Sequence, residues 1–238
     1  MPGIIVLSTD TPHHRYFLNF LEREGVPLAA YLLETAPAQA PFATGPLFEA
    51  EEHAFEMEHF FSALPSALNQ EKARYVDRCG SPQGLALLGS LQPDFGVVFG
   101  AGRLPAAVMG SFRDGLINVH RGISQAYRGL DSDLWAIYHG DYDNLGVTIH
   151  RVDESLDTGC IVYQQQLPLE RSMRTWQLRY HTSVIATDLV HRALTDYLGG
   201  RLACRPQPQR GRYYSFMPLD LKRLVAAKFD RHCEQLDG

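Results

Sequence analysis

Residues 115–162 read GLINVHRGISQAYRGLDSDLWAIYHGDYDNLGVTIHRVDESLDTGCIV, and this stretch decides the fold. Its run at 116–119 is short and apolar, as a buried strand requires, and a helix bearing Leu134, Ile137 and Tyr138 is expected after a loop. Strands are expected again at 146–152 and from Cys160, divided by the polar loop Asp153-Glu154-Ser155-Leu156-Asp157-Thr158-Gly159. Upstream, 95–99 reads as a strand set off by Gln92-Pro93-Asp94 from a helix ending near Leu91, and 104–109 as a short helix. The apolar runs 4–7 and 28–33 enclose a helix that opens at Thr11-Pro12, carries Tyr16, Phe17, Phe20 and Leu21 on one face and stops near Gly25. That is a β-α-β unit. Residues 35–46 read as a loop and 47–62 as a helix. Downstream, the longest helix spans 173–198, with Ile185, Leu189, Ala193 and Tyr197 four apart, and Gly199-Gly200 ends it. Alternating strands and helices predict an α/β fold, a doubly wound and mostly parallel sheet flanked by helices. A catalytic domain is expected over 1–200, with a tail of hairpin and helix over 201–238.

The chain has 238 residues, 45% of them hydrophobic, and a formal charge of −5. This composition excludes disorder, and no apolar run is long enough for a membrane span. The acidic balance argues against a broad nucleic-acid surface. Cys79, Cys160, Cys204 and Cys233 form no CxxC pair, so no metal site is expected. Met1-Pro2-Gly3 leads straight into strand-like sequence, without an export signal, so a cytoplasmic location and four free thiols are expected. Phe99-Gly100-Ala101-Gly102 follows a strand but is not GxGxxG, which disfavours dinucleotide binding.

Ligands of such sheets bind beyond the carboxyl ends of the strands. Alternation puts Asn118 and His120 on one face of a strand end, where an amide can polarise a carbonyl and an imidazole can relay a proton. Asp157, in the polar loop, is the candidate for orienting His120. Read singly, each has a blander role, as a turn former, a satisfied histidine or a turn cap. Glu49, His53 and Glu56 have metal-face spacing, but a solvated charged face is the expectation. His13-His14 is expected as an exposed helix turn, with a pocket wall as the alternative. Asp131, Ser132 and Asp133 are expected to cap the helix that carries Trp135. The stripe Leu221, Leu224, Val225, Phe229 is expected to pack on the chain's own core, with a homodimer as the alternative.

Together, Asn118-x-His120, Tyr127-Arg128-Gly129, Trp135, Gly146-Val147-Thr148-Ile149-His150 and Asp157-Thr158-Gly159 resemble the formyltransferase fold family. The resemblance covers roughly residues 1–170 and is tightest over 95–165. It implies 10-formyltetrahydrofolate as co-substrate and a primary amine as acceptor. It implies that Asn118 bonds the formyl oxygen, that His120 serves as acid/base or stabilises the tetrahedral intermediate, and that Asp157 holds His120 and assists proton removal. The pterin would lie against Arg103, Leu104, Val152, Asp153 and Glu154, and no metal is needed. Arg121-Gly122-Ile123-Ser124-Gln125 replaces a proline-stiffened loop common in the family, which leaves the acceptor open. Gln125, Arg128, Asp131 and Asp133 are the acceptor-side candidates. Only about forty residues follow Gly199-Gly200, so no RNA-binding domain is expected. A small amino sugar, free or nucleotide-linked, is the expected acceptor. The alternatives are a formyltetrahydrofolate hydrolase, a transferase acting on glycinamide ribonucleotide or an amino-acid amine, and a non-catalytic folate-binding protein.

Overall fold

The computed structural model describes residues 3–36 and 40–236. Its strands are β1 (Ile4–Thr9), β2 (Leu28–Glu34), β3 (Ala73–Val76), β4 (Phe95–Val98), β5 (Leu116–Arg121), β6 (Tyr127–Gly129), β7 (Gly146–Arg151), β8 (Ile161–Gln166) and β9 (Arg212–Tyr214). Its helices are α1 (Pro12–Arg23), α2 (Glu49–Phe60), α3 (Pro82–Leu91), α4 (Ala106–Met109), α5 (Ser132–His139), α6 (Leu178–Leu198) and α7 (Leu219–Glu234). Seven strands form one sheet in the order β3-β2-β1-β4-β5-β7-β8. The pairs from β3 to β5 are parallel, and β7 and β8 join antiparallel. The mostly parallel α/β architecture is as the sequence predicts.

Period-two alternation sorts the strand side chains between two cores. Ile4 and Val6 of β1, with Phe95 and Val97 of β4, pack beneath α1 and α6 through Phe17, Leu21, Leu189 and Ala193. Ile5, Leu7 and Val98 face the opposite side, against Leu88 of α3 and Val108 of α4. With both faces covered, these strands read as unbroken apolar runs. Strand β1 lies between β2 and β4, so crossovers leave it in both directions, and the crevice opens at the carboxyl ends of β1, β4 and β5.

Several expectations need correction. Strand β3 lies in a segment read without a strand; only four residues long, it reads ARYV, with polar residues at its centre. The long helix starts at Leu178, after a short 3-10 turn over Thr175–Gln177. Among the described residues of the tail no hairpin forms: β9 pairs in parallel with β6, from the 127–129 segment. Residues 37–39 of the expected loop lie outside the described residues. Cys160 and Cys204 are joined in a disulfide, which overturns the expectation of four free thiols; Cys79 and Cys233 are free and buried. The link follows from the bridge Ile161↔Arg205, which brings their neighbours together. In α7, Val225 and Phe229 enter the chain's own core and Leu221 packs against it, whereas Leu224 stays exposed. Among the described residues, no helix is long and apolar enough to cross a membrane.

Candidate active site

A cavity of about 990 Å³ occupies the crevice, and Asn118, His120, His150 and Asp157 share its wall. Antiparallel register sets Asn118 of β5 opposite His150 of β7, and His120 opposite Thr148. Asp157 arrives from the loop between β7 and β8. Gly159 makes this approach feasible, since a Cβ there would lie 1.7 Å from the Arg151 carbonyl oxygen. Gly129 sits at φ +91°, where a Cβ would meet the Tyr214 carbonyl oxygen at 2.0 Å, and its amide donates to Asp157 Oδ2 at 2.8 Å. The glycines of both motifs therefore serve the aspartate.

Hydrogen bonds set the proton positions. A carbonyl only accepts, so His120 Nε2–H donates to the Tyr127 oxygen (2.8 Å) and leaves Nδ1 as the open atom, 3.5 Å from Asp157 Oδ2. Likewise His150 Nδ1–H donates to the Arg151 oxygen (2.8 Å), and its Nε2 lies 3.2 Å from Asn118 Nδ2 and 3.3 Å from Asp157 Oδ1. Asn118 Nδ2 also donates to Asp157 Oδ1, at 3.4 Å. Burial works to raise the Asp157 carboxyl, but His120, His150 and the Gly129 amide outweigh it and hold it well below the usual carboxylate range. Burial lowers His120, with the Asp157 charge opposing. The resting pair is therefore carboxylate and neutral imidazole. The Tyr127 carbonyl fixes the tautomer of His120, and Asp157 faces the atom that would take a proton.

Arg103, Leu104, Val152, Asp153 and Glu154 all line the same cavity, as do Asp131 and Asp133. Gln125 and Arg128 are not among its lining residues. Gln125 exchanges amide hydrogen bonds with Gln164, and Arg128 donates to the carbonyls of Gly211 and Leu156, so both side chains are spent on holding loops. The expected cap holds only in part: Asp133 Oδ1 accepts from the first-turn amide of Leu134 at 2.9 Å. Asp131 occupies the N-cap position of α5 without a side-chain cap bond; its Oδ2 accepts from the Met217 amide (2.8 Å) and lies 3.2 Å from Lys222 Nζ.

His13 and His14 are buried and line the cavity, not an exposed turn, because the preceding Thr9 and Thr11 hydroxyls turn the rings inward. Burial drives both well below the ordinary histidine range. Glu49 and His53 are exposed, but Glu56 is only 1% exposed, paired with Arg179 through two hydrogen bonds of 2.6 and 3.1 Å. Sequence reading left out His150 as a site residue, although the Gly-Val-Thr-x-His motif held it. It also left out Arg121, Glu52 and Arg179, for which no local motif exists. Among the described residues, no group of three or more His, Cys, Asp or Glu could hold a metal ion.

A family-wide sequence profile described as "Formyl transferase" matches residues 60–184. Methionyl-tRNA formyltransferase from Synechococcus sp. (strain JA-2-3B'a(2-13)) is 34% identical over 156 residues, covering 65% of this chain and 48% of that protein. The chain thus spans about half the length of the curated relatives it matches. The 4-N formyltransferase from Francisella tularensis superposes with a TM-score of 0.64 at 18% identity, covering 95% of this chain and 87% of that one. Formyltransferase PseJ from Anoxybacillus kamchatkensis, solved with UDP-4,6-dideoxy-4-formamido-L-AltNAc and tetrahydrofolate, gives 0.56 at 17%, covering 90% and 85%. The chain belongs to the formyl transferase family.

Proposed function

We propose that the protein transfers a formyl group from 10-formyltetrahydrofolate to the primary amine of a small acceptor, an amino sugar. The observation that carries this is the convergence of Asn118, His120, His150 and Asp157 on one cavity wall. Val98, Leu104, Met109 and Val152 offer an apolar flank to a flat heterocycle, and a cavity of about 990 Å³ is ample for a folate. The folate, when bound, supplies the formyl carbon.

The chain's residues divide the remaining work. One Asn118 Nδ2–H, given up by the long 3.4 Å bond to Asp157, donates to the formyl oxygen and stabilises the charge that develops there. His120 Nδ1 takes the proton of the attacking amine, and Asp157 stabilises the imidazolium so formed. The same proton then returns to the departing folate nitrogen. Formyl transfer conserves the proton count, so one acid/base atom suffices. His150 and the Gly129 amide hold Asn118 and Asp157 in register.

An amino sugar acceptor draws support from the titles of two solved relatives, which are a 4-N formyltransferase and an enzyme bound to a formamido sugar nucleotide. Incubation with 10-formyltetrahydrofolate and a panel of amines tests the proposal. Tetrahydrofolate should appear only when an accepted amine is present. Release at the same rate without amine would overturn it in favour of a hydrolase.

A further inference from the structure

The cavity has a second charged wall that the chemistry above does not use. Arg121, at the end of β5, pairs with Asp133 from the start of α5. Arg179 of α6 pairs with Glu52 (2.8 Å) and Glu56 of α2, and His13 Nδ1 stands 3.8 Å from Glu56. Helices α1, α2, α5 and α6 and strand β5 thus converge on one recess. The two networks share one cavity, since Arg121, Asp133, Glu52 and Arg179 all line it. Arg121 and His120 both line the cavity, so the recess adjoins the reacting end.

We infer that this recess is the acceptor subsite and that it takes the uncharged, hydroxylated ring of an amino sugar, with any phosphate lying outside it. The inference rests on the formyl-transfer reading. Charge is the first argument. Glu52 and Asp133 line the recess beside Arg121 and Arg179, each guanidinium is already paired with a carboxylate, and burial keeps His13 neutral, so the recess offers no unpaired positive charge to a phosphate or carboxylate.

Unused hydrogen-bonding capacity is the second. Arg179 commits Nε, Nη1 and Nη2 to its two carboxylates, whereas Arg121, whose side chain is 29% exposed, commits Nη2 to Asp133 and makes no bond at Nη1 among the described residues. Glu52 engages Arg179 through Oε2, with no bond at Oε1 among the described residues. An open donor and an open acceptor suit hydroxyls, each of which gives and receives a hydrogen bond. Stability supplies no alternative reason, because buried ion networks contribute little over apolar packing of the same volume.

Calorimetry on the full chain tests the assignment, with a free 4-amino-4,6-dideoxyhexose, dTDP and tetrahydrofolate as probes. The free amino sugar should bind wild type, and Glu52→Gln and Arg121→Gln should each raise its Kd tenfold or more. Arg121→Lys keeps the charge but lacks the second terminal guanidinium nitrogen, and should lose binding equally. Tetrahydrofolate affinity should stay within twofold throughout, and matched melting curves identify any variant that fails to fold; Asp133→Asn then replaces it. Unchanged sugar affinity in these variants, no sugar binding to wild type, or competition between dTDP and the sugar would each overturn the subsite. Sugar binding lost in the variants of a wild type that ignores tetrahydrofolate would leave the subsite standing and sink the formyl-transfer reading.

Discussion

The two charged ends of the cavity are built on different plans. Asn118, His120, His150 and Asp157 come from two paired strands and the loop that follows them, all within residues 118–157. Backbone atoms of Tyr127, Arg151 and Gly129 hold three of these side chains in place. Glu52, Glu56, Arg121, Asp133 and Arg179 come from four separate elements and are held chiefly by one another's side chains, with one backbone bond, from the Leu134 amide to Asp133. Chemistry that must keep its geometry is anchored to backbone, while recognition rests on side chains that substitution can change without moving the sheet.

Breaking a backbone anchor should have the largest effect. Gly129→Ala puts a Cβ against the Tyr214 carbonyl at a positive φ and pulls the amide from Asp157, so a loss of about 3 kcal/mol is expected in denaturant unfolding, with turnover falling as well. Next comes the covalent tie beside the Asp157 loop. The bridged cysteines are 44 residues apart, and Cys204→Ser should cost about 2–4 kcal/mol by thermal melting, with turnover retained at low temperature. Arg179→Met leaves buried Glu56 unpaired and should cost about 2–3 kcal/mol, less than at a fully buried pair because the Arg179 side chain is 24% exposed. Folate affinity should not change in that variant. If it falls, the two ends are not separable as described.

The smallest effect is the pH response. Burial depresses His13, His14 and His120 in the folded state, so below about pH 6.5 the unfolded chain takes up protons that the folded chain resists. Melting temperature should therefore fall as pH drops from 7 to 5. The depressed Asp157 carboxyl keeps its contribution through this range and loses it only in stronger acid.

Legibility in the sequence followed the same division. Strands β1, β2 and β4 were readable because buried strands leave continuous apolar runs, as in Ile4-Ile5-Val6-Leu7. Asn118, His120 and Asp157 were readable because one strand and one loop present them. Glu56 was misread as solvated because its partner, Arg179, lies 123 residues away and no local pattern announces the pairing. His13 and His14 were misread because threonine hydroxyls bond their Nδ1 atoms and hold the rings inside the fold. Arg128 and Gln125 look functional in a motif, yet their partners are loop carbonyls and an amide.

The most direct test is transfer of labelled formyl from 10-formyltetrahydrofolate to an accepted amine by wild type and Asp157→Asn. Asparagine keeps the shape and removes the charge that stabilises protonated His120. Transfer should fall by roughly 10²–10⁴-fold, while tetrahydrofolate affinity stays within about threefold of wild type. Transfer within threefold of wild type would contradict the account.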